Sequence, residues 1–117
     1  MYSTKVMDHF QNPRNVGDMP DADAVGTAAS PSCGDIFRLY LKFTSGRVSR
    51  ATFKTFGCGA AIAASSVLTE MVIGKTAAEL RLITNMNVAE ALGGLPPIKM
   101  HCSVLAEQAL KSALDKK

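Results

Sequence analysis

Val48-Ser49-Arg50-Ala51-Thr52-Phe53-Lys54-Thr55-Phe56-Gly57-Cys58-Gly59-Ala60-Ala61-Ile62-Ala63 holds the point at which the chain changes periodicity, and that change decides the fold. As far as Phe56 the stretch is rich in Val, Thr and Phe, the composition of a strand. Beyond Gly59 the apolar residues stop alternating, and residues 60–73 are apolar nearly all round. That pattern predicts a helix buried at the centre of a small domain. Upstream, residues 36–43 set Phe37, Leu39, Leu41 and Phe43 against Arg38, Tyr40 and Lys42, a period of two with one buried face. Thr44-Ser45-Gly46-Arg47 between the two runs predicts a hairpin turn. A third strand over residues 24–29 is weakly signalled. Strands first and helices afterwards give an α+β class.

Outward from this centre the chain is helical or turn-rich. Residues 4–11 predict a short helix stopped by Asn12-Pro13, because proline disfavours the helical conformation in the residue before it. Residues 15–23 are turn-rich. Gly74 reads as a helix C-cap, and Thr76-Ala77-Ala78-Glu79 has the spacing of a capping box. Residues 87–92 predict a further helical turn ended by Gly93-Gly94, and Pro96-Pro97 an extended, solvated segment. From His101 onward Cys102, Leu105, Ala106, Ala109, Leu110 and Ala113 form one stripe of a last helix. Ser103, Glu107, Gln108, Lys111 and Ser112 fall mostly on its other side.

The 117 residues, 47% of them hydrophobic, suit one domain spanning residues 1–117. The 13 Lys/Arg against 10 Asp/Glu are spread along the chain, so the net charge of +3 does not indicate nucleic acid. No apolar run approaches the roughly 20 residues of a membrane span. The amino terminus has neither a secretory nor a transit pattern, and a cytoplasmic address is the expectation. In a reducing compartment three cysteines read as ligands or nucleophiles rather than bridges.

Each cysteine sits at a junction. Cys33 precedes the first confident strand, with Asp35 two residues on. Cys58 lies between two glycines where strand gives way to helix, and Cys102 opens the last helix beside His101. No Cys-x-x-Cys is present, so only tertiary folding could unite them. A helix N-terminus favours thiolate over thiol, and Cys58 and Cys102 share that setting. The flanking glycines let backbone approach a ligand. Adjacent residues diverge by roughly 100° on a helix, so His101 and Cys102 address one site only if His101 lies at or before the first turn. Any one cysteine alone reads equally well as a small buried hydrophobe. Three at element ends, beside Gly, Asp or His, point to a shared metal or sulfur site. His9 reads as an exposed helix residue.

Ala29-Ser30-Pro31-Ser32-Cys33-Gly34-Asp35, the run from Phe53 through Cys58 to Ala63, and Leu95-Pro96-Pro97-Ile98-Lys99-Met100-His101-Cys102-Ser103 resemble the three signature segments of the IscU/NifU family. These are scaffold proteins for iron–sulfur cluster assembly. Asp8-His9-Phe10-Gln11-Asn12-Pro13-Arg14-Asn15 resembles the family as well. The resemblance implies a small antiparallel β-sheet of about three strands with helices on one face. It implies a scaffold rather than an enzyme, with Cys33, Asp35, Cys58, His101 and Cys102 as cofactor and metal ligands. The implied cargo is a labile [2Fe–2S] cluster, two of which couple into [4Fe–4S] on a dimer, with zinc able to occupy the site when iron is absent. Cys102 is the implied persulfide acceptor.

The implied partners are a cysteine desulfurase, a frataxin-like protein, a ferredoxin, apo-protein acceptors and a second copy of the chain. Leu95, Pro96, Pro97, Ile98 and Lys99 resemble the segment recognised by an Hsp70-type chaperone working with a J-protein, and Tyr2 an aromatic used in scaffold–scaffold contact. The resemblance is to the stand-alone housekeeping type. Three rival readings use the same residues: a zinc-bound sulfur relay, a Cys–His–Asp hydrolase built on Cys102, His101 and Asp35, and a structural zinc module. Adjacent His and Cys on a helix suit the hydrolase poorly.

Overall fold

The computed structural model describes residues 3–30 and 34–115, the side chain of Ile98 excepted. Helix α1 (Thr4–Gln11) is followed by strands β1 (Ala24–Ala29), β2 (Ile36–Thr44) and β3 (Arg47–Phe56). Helices α2 (Gly59–Val72), α3 (Ala77–Leu80), α4 (Asn85–Ala91) and α5 (Met100–Asp115) complete the order. The strands form one antiparallel sheet in the order β1-β2-β3. Ser45 and Gly46, at φ 54° and 79°, make the β2–β3 turn with both central residues left-handed, which matches the twist of the strands it joins. Among the described residues no helix is long and apolar enough to cross a membrane.

One face of the sheet carries the core. Phe37, Leu39 and Leu41 of β2 and Val48, Ala51 and Phe53 of β3 are buried there, with α5 packed over β1 and β2 and α2 over β3. Helix α2 is the central rod: Ala60, Ala61, Ala63, Ala64, Leu68 and Val72 are all buried, since α1, α4 and α5 surround it as well. Its small residues let these neighbours approach closely. Gly26 does the same for β1, where an added Cβ would lie 1.9 Å from the Ala109 carbonyl oxygen of α5.

The ends of the elements follow local chemistry. Ser3 caps α1 by accepting from the Val6 amide at 3.1 Å, and its hydroxyl also donates to the Leu92 carbonyl at the end of α4. Thr76 and Glu79 form the expected capping box. Thr84 and Asn87 form a second one, so α4 starts two residues before the sequence reading placed it.

Three sequence expectations are corrected. His9 is buried, with its Nδ1 2.7 Å from Ser66 Oγ and its Nε2 3.5 Å from Glu70, because α1 lies against α2 on that side. Ser103 is fully buried rather than on the solvent side, and it satisfies its hydroxyl by donating to the Met100 carbonyl at 2.8 Å. The Pro96-Pro97 segment is extended only at Pro96. Pro97–Lys99 forms a 3-10 turn that runs straight into α5, with the Lys99 amide donating to the Pro96 carbonyl at 2.8 Å. Proline suits that first position because its fixed φ is helical and its missing N–H would have had no partner there.

Candidate metal centre

Three element ends meet at one end of the sheet. The Ile36↔Phe56 pair of the β2–β3 ladder sets Asp35 across from Gly57, one residue beyond each strand. Asp35 is also held from the β1 side: the Ser30 amide donates to the Asp35 carbonyl at 2.9 Å, and the Gly34 amide to the Ser30 carbonyl at 2.8 Å. Cys58 is the extended N-cap of α2, and its carbonyl accepts from Ala61 and Ile62. Helix α5, lying along β1 and β2, brings His101 and Cys102 of its first turn to the same place.

The side chains converge. Cys58 Sγ and Cys102 Sγ are 3.8 Å apart, and Cys102 Sγ is 4.0 Å from Asp35 Oδ2. One ligand atom each from Asp35, Cys58 and Cys102 lies within 4.8 Å of the others. His101 Nε2 stands 3.2 Å from Asp35 Oδ2 and 3.5 Å from Cys102 Sγ. Its position in the first turn is what lets two adjacent residues address one site. Asp35 and Cys102 are buried, Cys58 is half-buried, and His101 stands at the rim. Cys33 lies outside the described residues.

The donor set suits a thiophilic metal. Two sulfurs bound at about 2.3 Å to one tetrahedral ion stand about 3.8 Å apart, which is the separation found here. A disulfide would need about 2.05 Å, and both thiols are free. The helix-end setting does not, however, make Cys102 a ready thiolate. Burial pushes its thiol far above the usual range, the neighbouring Cys58 and then Asp35 add to this, and Lys99 opposes it only weakly. A bound cation would supply the charge that the fold withholds, since a coordinated thiol gives up its proton.

The two glycines beside Cys58 are not open approaches for a ligand. A Cβ on Gly57 would fall 2.7 Å from Asp35 Oδ1, and one on Gly59 3.2 Å from the Phe10 ring. Phe10, which the sequence reading left without a role, therefore lies over the backbone next to Cys58. Nothing local in Asp8-His9-Phe10 signals that long-range contact. Within the proline segment Leu95 is half-buried and packs against the core.

Residues 1–116 match the family described as NifU-like N terminal domain. An iron–sulfur cluster assembly scaffold protein IscU 1 of Archaeoglobus fulgidus is 59% identical over 114 residues, covering 97% of this chain and 74% of that protein. The IscU scaffold of Azotobacter vinelandii is 51% identical over 117 residues, covering 97% of this chain and 91% of its own. A crystal structure described as a SUF-system scaffold from Fervidobacterium islandicum superposes with a TM-score of 0.79 at 26% identity, covering 97% of this chain and 96% of that one. The N-terminal part of a NifU-like protein from Brucella abortus gives 0.65 at 26% identity, over 97% and 81%. With its three-stranded sheet, helices on one face and Asp–Cys–Cys cluster at the sheet end, the chain belongs to the IscU/NifU family of iron–sulfur cluster scaffold proteins.

Proposed function

We propose that this chain assembles [2Fe–2S] clusters from ferrous iron and desulfurase-derived sulfur and passes them to apo-proteins. The 3.8 Å separation of Cys58 and Cys102, with the Asp35 carboxylate beside them, carries the reading. Ferrous iron entering here displaces the thiol protons to solvent, and the thiolate charge left behind is compensated by the cation. A cysteine desulfurase then transfers one sulfur atom to the Cys102 thiolate, giving a persulfide. Two electrons from a ferredoxin-type donor cleave the S–S bond to sulfide and thiolate. A second persulfide is cleaved by the two electrons that the ferrous irons give up on becoming ferric, so two irons and two sulfides make the cluster with Cys33 as a further ligand. Two further electrons from the donor couple two clusters on a dimer into [4Fe–4S].

Carboxylate and imidazole hold iron less firmly than thiolate does, which suits a cargo that must leave. Delivery needs a docking surface near the thiols. Ile36 and Phe56, a cross-strand pair one residue from Asp35 and Gly57, are 43% and 76% exposed. That apolar pair is the surface we assign to the desulfurase, with the frataxin-like protein and the electron donor reaching the same end. An Hsp70-type chaperone with its J-protein would take Leu95, Pro96, Pro97, Ile98 and Lys99 after the 3-10 turn opens and Leu95 leaves the core. The free thiols suit a reducing, cytoplasmic setting.

The test is anaerobic reconstitution of metal-stripped protein with ferrous iron, cysteine, a desulfurase and a reductant, followed by transfer to an apo-ferredoxin. Visible absorption and Mössbauer spectra should show a cluster that requires Cys33, Cys58 and Cys102. Persulfide on a cysteine with zinc retained and no cluster would replace this reading with a zinc-bound sulfur relay.

A further inference from the structure

Gly57 lies outside the left-handed region of φ, so its backbone does not call for glycine. What calls for glycine is a side chain from another strand. A Cβ built there would lie 2.7 Å from Asp35 Oδ1, 2.9 Å from Asp35 Cγ and 3.1 Å from the Ala61 Cβ. Real Cβ atoms essentially never make contacts under 3.0 Å, so the carboxylate would have to shift by several tenths of an ångström. It has little freedom to do so in place. Asp35 is 5% exposed, and its other oxygen, Oδ2, is the atom 3.2 Å from His101 Nε2 and 4.0 Å from Cys102 Sγ.

We infer that Gly57 is a positioning residue for the metal centre: by lacking a Cβ it seats the Asp35 carboxylate with Oδ1 against the backbone and Oδ2 toward Cys102 and His101. A methyl group at position 57 would overlap Oδ1 and Cγ, so the carboxylate has to leave the seat in which Oδ2 meets His101 and Cys102. Gly57→Ala therefore reproduces the loss of the Asp35 ligand while Asp35 is still present. This rests on the scaffold reading only for its consequence in cluster lifetime; the metal geometry is tested apart from it.

The experiment is a double-mutant cycle on metal-free protein, using cobalt(II) as the probe. Parent, Gly57→Ala, Asp35→Ala and the double variant are titrated, reading affinity and the ligand-field and thiolate charge-transfer bands. Gly57→Ala should weaken cobalt about tenfold and shift the ligand-field bands toward those of Asp35→Ala. In the Asp35→Ala background the same change should have almost no effect, because the atom it displaces is gone. Equal loss in both backgrounds would overturn the inference and assign the effect to Ala61 and the start of α2. No loss in either background, or an Asp35→Ala variant that binds cobalt like the parent, would overturn it too. If Gly57→Ala alone fails to fold, the double variant decides: recovery of its thermal transition supports the clash with Asp35, and continued failure excludes it. A cycle that holds with cobalt in proteins that build no cluster would sink the scaffold reading and leave the inference standing.

Discussion

The sulfur atoms of Cys58 and Cys102 stand 3.8 Å apart although the two residues open different helices, one after β3 and one along β1 and β2. They are not equivalent. Cys58 is half-buried, whereas Cys102 is fully buried and its thiol is held protonated chiefly by that burial. In metal-free protein near neutral pH, a small alkylating reagent should modify Cys58 on the order of tenfold faster than Cys102. Peptide mapping by mass spectrometry gives both rates. Equal rates would mean that the first turn of α5 opens readily, and would return Cys102 to the role of exposed acceptor.

The Asp35 carboxylate, 4.0 Å from Cys102 Sγ, is proposed to tune the lifetime of a bound cluster. Replacing Asp35 with Ala removes the harder oxygen donor and leaves the thiolates, which iron–sulfur clusters prefer. The cluster reconstituted on Asp35→Ala should decay several-fold more slowly than on the parent, about five- to tenfold on the scale of changes around a metal. Loss of visible absorbance after adding a chelator measures it. Decay as fast as the parent's would remove Asp35 from the exchange step.

The strands with strong alternation, the hairpin turn, the Thr76 capping box and the buried rod of α2 were legible because their signals are local. Strand β1 was faint for a physical reason: Ala24, Gly26, Ala28 and Ala29 carry too little side chain to alternate visibly. Its smallness is a requirement of α5, which rests on it so closely that Gly26 admits no Cβ. The pairing of His9 with Ser66, 57 positions away, and the contact of Phe10 with Gly59 leave no mark in either neighbourhood. At the site, the residue types and their places at element ends were readable, but the seating of Asp35 against Gly57 needed the β2–β3 register.

The Gly26 contact predicts a stability cost that is separable from function. In Gly26→Val the branched side chain would meet the Ala109 carbonyl and the Ala113 backbone and methyl, none of which can move without shifting α5 from the sheet. Overpacking of this kind costs on the order of 3 kcal/mol. Urea unfolding of the metal-free protein should show the midpoint falling accordingly. A change below about 0.5 kcal/mol, the scale of surface substitutions, would mean α5 is not seated on β1 in solution.

His9 gives the fold a pH dependence whose sign can be worked out. Burial lowers its pKa below the usual 6.5, Arg14 adds to this, and Glu70 and Asp8 pull the other way without reversing it. The unfolded chain therefore takes up a proton at a pH where the folded chain does not. The stability contributed by neutral His9 is full above the unfolded pKa and is lost as pH falls toward the folded one. The thermal midpoint of metal-free protein should drop more between about pH 7.5 and about pH 5.5 than that of His9→Gln, which cannot titrate. Parallel curves for the two proteins would show that the His9–Ser66 contact does not couple α1 to α2 through protonation.

Phe56 tests the proposed docking surface. The residue is 76% exposed at the end of β3, two residues from Cys58, and pairs across the ladder with Ile36, which is 43% exposed. A large apolar side chain left in water beside a reactive centre adds little to folding and a great deal to an interface, where aromatic anchors dominate binding. Phe56→Ser should leave the unfolding midpoint within about 0.5 kcal/mol of the parent. It should slow desulfurase-driven cluster formation by about tenfold or more, the cost of one interfacial anchor. Chemical reconstitution with ferrous iron and inorganic sulfide bypasses the partner, so its rate and yield should match the parent's. Equal slowing by both routes would locate the defect in the metal centre rather than in docking, and normal desulfurase-driven assembly would show that sulfur is delivered across a different face.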